Sequence, residues 1–131
     1  MTEVISTPAP GHRRWYIGDG YLAPDSPDKG DLISHEAICV LNAGSEDANC
    51  SLTIYFEDRE PIRDIPLKVR AERTWHVRLD KPDHLGGAEI PRGVPYALAL
   101  QSDRNVIVQH SRLDTRQANL AYFTAIGYAE G

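Results

Sequence analysis

Seven side chains on three stretches of the chain have the types that do polar chemistry: Glu36, then His76 and Arg78, then His110, Arg112, Asp114 and Arg116. His110, Arg112 and Asp114 follow Val106 and Val108 at every second position, the period of one strand face. That face therefore passes from apolar to charged along its length. Where its polar end is covered, the charged groups must hydrogen-bond one another, a neighbouring strand or a ligand, because an unpaired buried charge costs several kcal/mol. Clustered with Glu36, His76 and Arg78, they suit a polar or anionic small molecule held by charge-assisted hydrogen bonds. In that arrangement Arg112 is the clamp for an anion or hydroxyl, Asp114 orients it, and His76 and His110 supply neutral donors or acceptors. The same groups serve equally as pairs that hold strands or subunits together, or as a strand end running out into solvent.

Other chemistries find less support. His35, His76 and His110 sit on three different strands, and three imidazoles can bind zinc. No HxH, HExxH or CxxC pair anchors them, so no metal or other cofactor is expected. Ser34 and Ser111 lie in regular strands rather than on a strained elbow, and Cys39 is expected to be buried. Gly86 and Gly87 precede no helix that would cradle phosphate. The expectation is a binding protein and not an enzyme, with a hydrolase or isomerase working through His and carboxylates as the alternative.

Elements that would position these groups follow from periodicity. Residues 15–22 read as a strand whose Gly18 and Gly20 predict a bulge or a close backbone approach. In 33–41, Glu36 shares a face with Ser34, Ile38 and Val40, opposite His35, Ala37, Cys39 and Leu41. Residues 51–58 alternate again, with Leu52, Ile54 and Phe56 on one side. Residues 64–69 form a weaker strand that Pro66 pushes to an edge. In 73–79, Arg73, Trp75, Val77 and Leu79 oppose Thr74, His76 and Arg78. Residues 80–95 form a long Pro- and Gly-rich connection that reads as a lid, an interface arm or a mobile loop. Residues 96–101 make a strand, 102–105 a tight turn, 106 onward the strand of the polar face, and 120–128 a last β-rich segment. No stretch shows a convincing helical period. The predicted fold is an all-β, antiparallel β-sandwich of about seven or eight strands.

The chain has 131 residues, the size of one domain, so residues 13–131 are expected to fold together behind a flexible segment 1–12. Charged residues make up 25% and hydrophobic ones 41%, as in globular domains. No apolar run reaches membrane-spanning length. Residues 1–11 hold no basic-then-apolar signal pattern, which predicts a cytoplasmic protein. A net charge of −5 argues against a large nucleic-acid footprint. If the strands flanking Ser45 pair as a hairpin, Cys39 falls opposite Leu52 and Cys50 opposite Leu41, so both cysteines are read as reduced packing residues.

A family resemblance rests on particular segments. Ile33-Ser34-His35-Glu36, Leu41-Asn42-Ala43-Gly44 with Glu46-Asp47-Ala48, Thr53-Ile54-Tyr55, and Asp58 with Glu60-Pro61 carry its first half. Arg73-Thr74 with His76-Val77-Arg78, and Val108-Gln109-His110 with Arg112, Asp114 and Arg116-Gln117-Ala118, carry the second. Together, in unchanged order from Trp15 to Tyr128, they resemble the sensory rhodopsin transducer family. This chain departs from the family in a Pro-rich stretch before Trp15 and in Trp75, where the family has a polar or basic residue. The resemblance implies a β-sandwich, a homotetramer and a cytoplasmic signalling role that involves a membrane photoreceptor and a link to DNA. It also implies kinship with carbohydrate-binding sandwiches, which makes the shared polar residues a pocket for a sugar-like ligand. The expected function is a non-enzymatic binding module that relays ligand occupancy to a protein partner. Direct docking to a sensory rhodopsin is the alternative, with DNA disfavoured by the acidic balance.

Overall fold

Each alternating segment becomes a strand because it has one apolar face to bury. The computed structural model describes residues 8–24, 33–116 and 121–131. Eight strands follow in order: β1 His12–Tyr21, β2 His35–Asn42, β3 Ala48–Phe56, β4 Ile62–Val69, β5 Arg73–Arg78, β6 Pro95–Asp114, β7 Ala121–Ile126 and β8 Tyr128–Glu130. Every pairing is antiparallel. Among the described residues there is no α-helix, only a short 3-10 turn at Pro82–Leu85, and no helix is long and apolar enough to cross a membrane. Residues 1–7, the greater part of the expected flexible segment, lie outside the described residues, as do residues 25–32 and 117–120, which include Gln117 and Ala118.

β6, at 20 residues, holds the fold together. Its first part pairs with β3 on one side and β1 on the other, in a ladder of order β4-β3-β6-β1-β8. Its last part pairs with β2 and β7 in a second ladder, and β5 lies outside β2. The result is the expected antiparallel sandwich, one eight-stranded sheet folded on its longest strand.

The tight turn expected at 102–105 is absent, because the chain runs straight through as strand. Its Ser-Asp-Arg-Asn composition marks instead the place where β6 leaves one ladder and enters the other. Past Ser102, which still pairs with Cys50 of β3, Asp103 and Asn105 make side-chain bonds. Asp103 accepts from the Asn49 backbone N–H at 2.8 Å, and Asn105 donates to the Ala9 carbonyl at 2.9 Å. The expected hairpin between β2 and β3 is likewise not formed, since the two strands belong to different ladders. Asn42 enforces that crossing: fully buried, it donates to the carbonyls of Glu46 and Val69 and accepts from Gly44 N–H. Both cysteines are free, with Cys39 opposite His76 and Gln109, and Cys50 opposite Leu67 and Ser102.

The core collects the inward faces of both ladders, among them Trp15, Ile38, Val40, Leu52, Ile54, Leu67, Val77, Leu98, Leu100, Val106 and Val108. Each large side chain so buried contributes roughly 1.5–3 kcal/mol. β4 is an edge strand, as Pro66 predicted. The connection 80–95 is packed down rather than loose, because Leu85 and Ile90 enter the core.

Candidate functional site

Glu36 is the centre of the polar cluster. It follows the alternation of β2 inward beside Ile38 and is 0% exposed, so its carboxylate needs partners in place of water. The ladder supplies two, because Arg112 stands directly opposite Glu36 and His110 directly opposite Ile38. Arg112 Nε donates to Glu36 Oε2, and His110 Nε2 lies 3.2 Å from Oε1. Two more come from the other ladder: the Tyr96 hydroxyl donates to Oε1, and Tyr21 N–H reaches the same oxygen at 3.0 Å.

A local backbone feature makes the Tyr96 contact fit. The β1–β6 register slips between Ile17 and Gly20, and a Cβ on Gly20 would stand 2.3 Å from the Tyr96 ring. Only glycine leaves that ring room. The close approach expected at Gly20 is therefore to an aromatic side chain that donates into the site.

The electrostatics follow from these contacts. Burial raises the Glu36 pKa, but hydrogen bonds from His110, Tyr96, Arg112 and the Tyr21 amide outweigh it and hold the carboxyl below the usual glutamate range. Burial, with the nearby Glu36 charge, pushes the Tyr96 phenol far above its usual range, so it remains a donor. Burial works against the Arg112 charge, yet Glu36 and Asp19 together raise its pKa. A saturated, ionised carboxylate and a phenol that does not ionise make a poor acid–base pair. The cluster is built to hold a cation in place.

Outward from Glu36, Arg112 Nη2 donates to the Asp19 carbonyl at 3.1 Å and approaches Asp19 Oδ1 at 3.4 Å. The guanidinium lies 5.1 Å from the Phe123 ring centroid, and His110 meets the same ring edge-on at 6.0 Å. Beside them opens a cleft of about 300 Å³, lined by Tyr16, Gly18, Asp19, His110, Phe123, Ala125 and Tyr128 among others. Asp19, at its mouth, has its side chain 88% exposed.

Of the residues singled out from sequence, Glu36, His110 and Arg112 converge. Asp114 does not orient Arg112; its carboxylate takes Arg116, with Nη2 to Oδ2 at 2.6 Å, at the end of β6. Arg116 lies 5.9 Å from the Tyr21 ring. His76 and Arg78 stay apart from the cluster because Val77 faces the core and turns its neighbours outward. Arg78 donates twice to Asp80, at 2.7 and 2.8 Å, while His76 borders a separate depression with Cys39, Thr74 and Tyr122. Asp19, Tyr21, Tyr96 and Phe123 were not anticipated. Tyr96 alone had a signal, a phenol on an inward face otherwise made of leucines, since a buried hydroxyl needs a partner. Among the described residues no three of His, Cys, Asp and Glu come together as a metal would require.

Fold and cluster together define a small antiparallel β-sandwich with a buried ionic cluster where its two ladders meet. A family model described as Anabaena sensory rhodopsin transducer matches residues 10–129, and the chain belongs to that family. Among solved structures, the Anabaena sensory rhodopsin transducer is similar at 43% identity and TM-score 0.70, covering 85% of this chain and 96% of that one. A Thermotoga maritima structure, described only as that organism's 1070, is similar at 37% identity and TM-score 0.80, covering 92% of this chain and 96% of that one. No curated protein matches.

Proposed function

We propose that this chain is a non-enzymatic, cytoplasmic binding module that takes a sugar-like or anionic small ligand in the cleft beside Arg112 and relays its presence to a protein partner. One observation carries the reading. Arg112 is held from within by buried Glu36 and satisfied from outside by Asp19, whose exposed carboxylate exchanges at little cost. A ligand carboxylate or hydroxyl would take the place of Asp19, with a sugar ring lying against Phe123, Tyr16 or Tyr128 at the cleft wall. His110 lines the same cleft, whereas Asp114 and Arg116 pair with each other at the end of β6. Glu36 acts as the support beneath, and His76 and Arg78 have no part in this site.

By kinship, the partner that reads the occupied module is a sensory rhodopsin or another signalling protein, and the working form is a homotetramer. DNA binding is disfavoured by the net charge of −5. Titration calorimetry with D-glucuronate and D-glucose tests the site. Asp19→Asn is expected to tighten glucuronate binding several-fold by removing the competing carboxylate, with no comparable gain for glucose. Equal glucuronate binding by both proteins would mean that Arg112 does not receive the ligand.

A further inference from the structure

Residues 8–11 are fastened to the domain more firmly than a loose end requires. Gly11 adopts a φ of 113°, and a Cβ there would stand 2.1 Å from the Val106 carbonyl oxygen. Only glycine lets the chain run this close to β6. The Asn105 side chain then donates to the Ala9 carbonyl. A Cβ on Gly44 would stand 3.2 Å from that of Ala9, so the β2–β3 connection closes up on the same segment. Asn42, fully buried, fixes this connection from beneath through its bonds to Glu46, Val69 and Gly44. These contacts build the walls of a cleft of about 320 Å³ where β6 crosses between the ladders. A cleft whose walls are already held loses less conformational freedom when a ligand enters, and this volume suits a small metabolite.

The groups that reach into it are mostly donors. Arg13 of β1, Arg104 of β6 and Ser45 line it. Among the described residues, neither the Arg13 guanidinium nor the Ser45 hydroxyl has a hydrogen-bond or ion-pair partner. Arg104 meets Glu46, and both side chains are at least half exposed, so that pair exchanges at little cost. The acids beside them in sequence are engaged elsewhere, Asp103 with Asn49 and Asp47 with the Ala71 amide and Lys68. Two guanidinium groups against one carboxylate leave a positive cleft on a chain of net charge −5. A ligand carboxylate presents two oxygens in one plane, which suits one guanidinium fork. The three terminal oxygens of a phosphate monoester are arranged tetrahedrally and can take two forks and a hydroxyl.

We propose that this cleft is a second binding site, for the phosphate of a small phosphomonoester, clamped by Arg13 and Arg104 with Ser45 donating. It shares no lining residue with the cleft beside Arg112. Eight positions of β6, roughly 26 Å of strand, separate Arg104 from Arg112. The inference therefore stands independently of the ligand reading there.

Titration calorimetry with glycerol 3-phosphate tests the site, with D-glycerate as a carboxylate of similar size and a short DNA duplex as the other source of phosphate. The wild-type chain is expected to bind one glycerol 3-phosphate, and D-glycerate about tenfold more weakly or less. Arg13→Gln with Arg104→Gln, both at exposed positions and checked for folding by circular dichroism, is expected to weaken glycerol 3-phosphate by about tenfold or more. Glu46→Gln, which frees Arg104, is expected to tighten it several-fold. No binding by the wild-type chain, equal affinity for D-glycerate, or a double-glutamine variant that binds as well as wild type would overturn the site. A duplex bound through the same two arginines, with no binding of glycerol 3-phosphate, would overturn its assignment to a small molecule.

Discussion

Two arginines, on the strands to either side of β2, each hold a carboxylate, and their surroundings give the two pairs different work. Arg112 and Glu36 lie 76 residues apart in the chain and meet where β2, β6, Tyr96 and the end of β1 come together. Arg78 and Asp80 lie two residues apart and close a local turn after β5, with Arg92 also within 3.9 Å of Asp80. The first pair joins distant strands of one ladder and, through Tyr96 and Tyr21 on the same carboxylate, ties that ladder to the other; the second fixes the entry to one connection. Sequence separation, more than bond count, decides what each is worth to the fold. Bonds within a turn form readily in the unfolded chain, whereas those between ladders exist only once the chain has folded.

The largest effect is expected at Glu36. Replacing it by Gln leaves Arg112 with only the exposed Asp19 carboxylate as counter-charge and puts an amide where several donors converge, which costs about 3–5 kcal/mol in unfolding free energy by urea titration. The effect carries a pH signature. Because the folded-state pKa of Glu36 lies below its unfolded value, its contribution is complete above the unfolded value of about 4.3 and is lost as pH falls through the lower, folded one. Wild-type stability is therefore expected to fall more steeply in acid than that of Glu36→Gln. Parallel acid limbs for the two proteins would show that Glu36 is not held as an ion.

Tyr96→Phe comes next. The ring stays, so packing over Gly20 is kept, and only the donor to Oε1 is lost. With three other groups still on the carboxylate, the expected cost is about 1–3 kcal/mol. Combined with Glu36→Gln the two changes should fall well short of additive, since both act on one network. Full additivity would mean that the Tyr96 hydroxyl stabilises the fold by some other route.

The contrast between the two pairs also explains what the sequence could reveal. Alternation placed Glu36 on one face of β2 with Ile38 and Val40 and separated His76 and Arg78 from Val77. Pro66 announced the edge, and Gly20 the close approach. All of these depend on neighbours along the chain. Pairing partners were not legible, because antiparallel geometry allows many combinations of similar strands. β2 and β3 read as a hairpin yet lie in different ladders, and the turn-like Ser102-Asp103-Arg104-Asn105 proved to be the crossing point of one long strand. For the same reason Arg112 was joined to Asp114, its nearest acid on that face, rather than to Glu36.

The smallest effect is expected at Arg78, and it is the sharper half of the comparison. The geometry of Arg78 with Asp80 is bidentate and short, so counting hydrogen bonds alone would rank it above Arg112, which gives Glu36 one. Burial raises the Asp80 pKa, yet the Arg78 hydrogen bonds and charge bring it below the usual aspartate range. Arg92 remains beside Asp80 when Arg78 is removed. The turn is held besides by the His84 ring nitrogen, which accepts from the Arg78 backbone amide at 2.9 Å and does not depend on the side chain. Arg78→Ala is therefore expected to cost about 1 kcal/mol or less, with the cleft beside Arg112 unchanged in ligand titrations. A loss as large as that of Glu36→Gln would show that the connection over residues 80–95 stabilises the domain as strongly as the cluster between its ladders.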